Sequence, residues 1–121
     1  FSNITGVGPR VTNTQSINGN YQHAIDARRR TALTIANSVF VGMPRGIRMN
    51  QQSVYDNYNS TTGELINNVM SAPLLTYSVG SGMTATTTDV QNLWTANNEI
   101  NTDTDLPSVY LNFGLNTNIF F

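Results

Sequence analysis

The sequence predicts a small α+β domain that leans toward strand, with two or three short helices, and three observations point there. Residues 109–121 set Val109, Leu111, Phe113, Leu115, Ile119 and Phe121 on one parity and Tyr110, Asn112, Gly114, Asn116 and Asn118 on the other. That is the period-two signature of a half-buried strand. Residues 89–100 place Val90, Leu93, Trp94 and Asn97 at helical spacing, so the single Trp of the chain is expected to face the core. Elsewhere Gly and Pro, as at Gly42, Pro44 and Gly80-Ser81-Gly82, cut the chain into short segments.

Taken in order, residues 1–20 hold three Gly, one Pro and scattered apolar residues, and read as an extended N-terminal arm. It has too little apolar surface to fold alone and is expected to order along another surface. Residues 21–121 form the globular domain. Residues 21–31 favour a helix, because Tyr21, Ile25, Arg28 and Ala32 lie on one stripe and Ala24 and Ala27 carry good propensity. Residues 32–41 favour a strand. Residues 42–63 read as a long exposed loop bearing Tyr55 and Tyr58, and residues 64–72 as a short helix built on Leu65, Ile66, Val69 and Met70. Residues 74–79 form a strand with residues 83–87 as its hairpin partner. A helix capped by Thr88 or Asp89 follows, then a loop over 101–107 and the terminal strand, expected to be central to its sheet. No internal repeat is visible at this level.

Composition narrows the function. The chain carries 17 Asn, 16 Thr, 9 Ser and 5 Gln against 13 charged residues, and its 11% charged fraction compares with roughly 25% in an average soluble domain. All six basic residues are Arg. Lys and Glu resist close packing against a neighbour, whereas Asn, Thr and Ser lose little side-chain entropy in a contact. Such a surface suits packing against other protein. Cysteine is absent, which excludes disulfides, thiolate metal sites and a cysteine nucleophile. A net charge of -1 argues against coating nucleic acid, and no apolar run reaches the roughly 20 residues of a membrane helix. The start at Phe1 rather than Met is read as processing or trimming.

The chemistry-bearing constellations are sparse. His23 is the single His, and Asp26 could orient it, but no residue is singled out as nucleophile, so no catalytic residue is assigned and the chain is expected not to be an enzyme. Asn101, Asp103 and Asp105 resemble the opening of an EF-hand calcium loop. Leu106 then replaces the loop Gly and Asn112 the bidentate Glu, so calcium is a candidate ion and no other cofactor is called for. Arg28, Arg29 and Arg30 form the basic cluster, suited to bidentate pairing with acids of a neighbouring subunit. With Tyr55, Tyr58, Phe120 and Phe121 they make the candidate interface. Residues 109–121 also resemble the closing strand of an outer-membrane barrel, although Thr117 interrupts the apolar face.

The expectation is a structural, self-assembling protein of a virion, as a capsid, cement or connector subunit, whose partners are copies of itself or other structural subunits. The alternative is a small extracellular adhesion module that binds through the Tyr-bearing loop. Both place the protein in a virion or outside the cell.

Overall fold

The chain winds. In the computed structural model, which describes residues 1–10, 15–71 and 75–100, the strands are β1 (Thr5–Val7), β2 (His23–Ala27), β3 (Ile35–Ala36), β4 (Val39–Val41), β5 (Arg45–Met49), β6 (Leu65–Ile66), β7 (Val69–Met70), β8 (Leu75–Val79) and β9 (Glu99–Ile100). Helix α1 (Gln52–Asn59) follows β5 and α2 (Thr87–Thr95) follows β8. Every strand pairing is parallel, in three sheets ordered β1-β4-β7-β9, β2-β5-β8 and β3-β6. Each turn of chain lays one strand on each sheet in succession, the arrangement of a parallel β-solenoid. The coarse expectation of a strand-rich mixed α/β chain holds.

The register reveals a repeat that the sequence reading missed. Ile35 pairs with Leu65, Val39 with Val69, Arg45 with Leu75 and Val69 with Glu99, a constant step of 30 residues. The first turn is irregular, since Thr5 pairs with Val39 but His23 with Arg45. At the corner between the first two sheets stand Asn3, Asn37, Asn67 and Asn97, each one turn further on. The first three have φ of 56°, 51° and 54°, the left-handed conformation that Asn tolerates better than most residues. That single shared residue is a weak signal among 17 Asn.

The residue after each corner points inward and joins the turns. Ile4 N–H donates to Ser38 Oγ at 3.1 Å, Ser38 N–H to Asn68 Oδ1 at 3.0 Å and Asn68 N–H to Asn98 Oδ1 at 3.0 Å. Asn68 Nδ2 also donates to Ile35 O, and Asn98 Nδ2 to Leu65 O. Ser38, Asn68 and Asn98 are all buried, and this polar ladder satisfies backbone groups that the bend takes out of the sheets. The apolar core lies beside it: Ile25, Ile47, Met49, Val54, Tyr58, Met70, Val90 and Trp94 form one cluster. Trp94 is fully buried, as expected, and its indole N–H reaches Glu99 O.

Several local expectations are corrected. Residues 23–27 form β2 rather than a helix, because parallel pairing with β5 outweighs the propensity of Ala24 and Ala27. Arg29 and Arg30, with φ of 52° and 62°, turn the chain away. Residues 64–72 form β6 and β7 around the Asn67-Asn68 corner, not a helix. Two short strands flanking a two-residue corner space their apolar residues four apart, as a helix does. Residues 42–63 contain β5 and α1 rather than a loop. Residues 83–87 make no hairpin; Gln52 Oε1 accepts from Thr84 N, Thr84 Oγ1 and Ala85 N and holds the segment against α1. The cap of α2 is Thr86, in a capping box with Asp89, and the helix ends at Thr95 to meet the next corner. Within residues 1–20, β1 is hydrogen-bonded in register to β4 of the same chain. The expected terminal strand lies outside the described residues.

Candidate functional site

The outer face of the β2–β5–β8 sheet collects the charge. In a regular strand residues three apart face opposite ways, yet Arg45 is exposed, Gly46 and Ile47 are both buried and Arg48 is half-buried. Gly46 has no ladder partner in β2 or β8. A Cβ at Gly46 would stand 2.3 Å from Thr76 O and 2.8 Å from Met70 Sδ, so a side chain is excluded there. This bulge-like interruption returns Arg45 and Arg48 to the same side. β2 shows the same spacing, with His23 and Asp26 opposite Arg45 and Arg48, while β8 sets Ser78 opposite Arg48.

His23 lies at the middle of the cluster. Its Nε2 is 3.4 Å from Ser78 Oγ, across the intervening strand. Burial holds the ring below its ordinary value of 6.5; Asp26 pulls it up, and Arg45, Arg48 and Arg28 push it further down. Asp26 is committed elsewhere, since its Oδ2 accepts from Arg28 Nε at 2.8 Å and pairs with Arg28 NH2 at 2.7 Å. Among the described residues neither Arg45 nor Arg48 forms an ion pair. Nor does a carboxylate there accept a hydrogen bond from the ring, so His23 and Ser78 lack the orienting acid of a hydrolytic triad.

On the opposite flank, α1 and α2 border an open groove of about 560 Å³ lined by Tyr55, Tyr58, Asn59, Glu64, Asp89 and Asn97, among others. Tyr58 is 6% exposed and packs in the core, and burial raises its phenol above the ordinary value. Tyr55 is half-buried against the same cluster. Asp89 is engaged in the capping box; Glu64 is exposed at the groove rim.

The sequence-derived interface residues are therefore divided. Arg28, Arg29 and Arg30 form the exposed turn after β2, anchored by Asn57 Nδ2 to Arg30 O and by Arg29 N to Gln51 Oε1. Tyr55 and Tyr58 belong to the helical flank, while Phe120, Phe121, Asn101, Asp103 and Asp105 lie outside the described residues. Among the described residues no cluster of three His, Asp or Glu side chains could hold a metal ion, and no helix is long and apolar enough to cross a membrane. Sequence reading missed Arg45, Arg48 and Ser78. Arg45 and Arg48 flank a Gly-Ile pair in a GIRM run, but nothing local tells that this Gly interrupts a ladder. Compared with protein-family models, curated proteins and solved structures, the chain finds no match.

Proposed function

We propose that the chain is a structural, self-assembling subunit, a virion component of the capsid, cement or connector kind, acting through contacts with copies of itself or with other structural subunits. The observation that carries the reading is the edge of the solenoid. β1 is the first strand of its sheet, one side on β4 and the other turned outward, and Phe1, Val7, Tyr21 and Leu33 of the same turn are exposed. An open, apolar strand edge is a template for another chain. The extended N-terminal arm, residues 1–20, is the segment assigned to that contact. The surface rich in Asn, Thr and Ser supports the same reading. We take the chain to be non-catalytic and its location to be a virion or the extracellular space.

The test is the native mass in solution, by light scattering with and without a calcium chelator. A multimer is expected, and Val7→Lys, which places charge on the outward edge, is expected to dissociate it while leaving the far-ultraviolet circular dichroism unchanged. A monomer at all concentrations overturns the proposal. It would leave the second reading, a binding or adhesion module, which the groove bordered by Tyr55, Tyr58 and Asn59 favours.

A further inference from the structure

Charge on this molecule is segregated. Five of its six Arg, at positions 28, 29, 30, 45 and 48, lie on β2, on the turn after it or on β5, and that part of the chain holds a single acid, Asp26. Like charges on adjacent strands repel, and Asp26 relieves only Arg28. The interruption at Gly46, present in both of its ladders, turns Arg45 and Arg48 to one side when a regular strand would have separated them. A half-buried imidazole and a hydroxyl in contact at 3.4 Å complete the cluster. The donors available there are two guanidiniums without an acid partner among the described residues, an O–H and an imidazole N–H.

We infer that His23, Arg45, Arg48 and Ser78 form a binding site for a sulfate or phosphate group on the outer face of the β2–β5–β8 sheet. Guanidiniums offer forked donors matched to tetrahedral oxyanions, and the hydroxyl of Ser78 can donate to a third oxygen. Asp26, paired with Arg28, sets one border of the site, so the pocket of positive potential centres on β5. A bound dianion reverses the electrostatics at His23. The two guanidiniums that now oppose protonation of the ring are neutralised, and the imidazolium becomes a further donor. Binding is therefore strongest at a pH low enough to protonate the ring, and weakens as pH rises through the ring's pKa in the complex. The groups that face the ring in this titration are Asp26 and Arg28 from β2 and the turn after it, Arg45 and Arg48 from β5, and Ser78 from β8.

Because the chain has one His, its ring protons give an isolated signal in proton NMR. The full chain is titrated with inorganic sulfate and, separately, with inorganic phosphate, each against sodium chloride at equal ionic strength. The expected result is a saturable shift of the His23 signal and a raised ring pKa in the oxyanion, absent in chloride; the two salts together show which anion the site prefers. Arg48→Gln and Arg45→Gln should each weaken binding by about tenfold or more, with unchanged circular dichroism. Arg29→Gln and Arg30→Gln, on the neighbouring turn, should leave it unchanged. A ring that titrates identically in chloride and in both oxyanions overturns the proposal. So does an equal loss in the turn variants, which would mark diffuse attraction rather than a site. Self-assembly is read from mass and not from this signal, so the two proposals fail independently.

Discussion

At the scale of single residues, the two asparagines of each corner have different jobs. Asn67 is exposed and supplies a left-handed backbone, whereas Asn68 is fully buried and supplies a side chain that bonds to Ser38, Ile35 and Asn98. The left-handed conformation costs other L-residues roughly 1–2 kcal/mol, and each buried group left without a partner costs about 1–3 kcal/mol. Asn68→Ala would orphan both Ser38 N–H and Ile35 O. We expect it to lower stability by about 3 kcal/mol in urea unfolding, while Asn67→Gly, which keeps the backbone freedom, changes little. Equal losses in the two variants would refute the division of labour. In the sequence these four residues are merely Asn-Asn or Asn-Ser pairs. Their roles become legible only when Ser38, Asn68 and Asn98 are seen in one column.

At the scale of elements, legibility followed locality. Helix α2 and strand β8 were expected almost where they stand, because a capping box and a Gly-bounded apolar run act within a few residues. Thr86→Ala is expected to cost about 1 kcal/mol. Hydrogen bonds from the Thr86 backbone and side chain hold the Asp89 carboxyl below its ordinary 3.8. A carboxyl depressed by folding stabilises above its unfolded value, and that contribution disappears as pH falls from 3.8 through the lower native value. The acid limb of a pH–stability curve should accordingly flatten in Asp89→Asn, and an unchanged slope would refute the linkage. Strands β2, β6 and β7 and helix α1 were misread because their stability comes from neighbours some 30 residues away. The spacing of Leu65, Ile66, Val69 and Met70 fits a helix and a cornered pair of strands equally well.

At the scale of the whole molecule, each turn rests mainly on the turns before and after it, so stability is close to a sum of nearest-neighbour terms. Amide exchange is expected to be slowest in β4, β5 and β7, which are paired on both sides, and faster in β1, which is paired on one. Uniform protection across these strands would mean a single cooperative unit instead. The same stacking creates the candidate surfaces. The cationic face combines β2, β5 and β8, and the groove combines α1 with α2, so each needs residues from different turns.

By itself the sequence determined the strand-rich character, the burial of Trp94, the place of β8 and of most of α2, and a surface poor in charge and rich in amides and hydroxyls. Those properties reside in composition and in contacts between near neighbours along the chain. Only the tertiary structure decided that the strands stack in parallel at a 30-residue step, that Asn68 and Asn98 form an inner ladder, and that His23, Arg45, Arg48 and Ser78 meet. The physical reason is common to all three. Parallel pairing links residues one full turn apart, and no local signal in the 30 residues between them records which partner they will find.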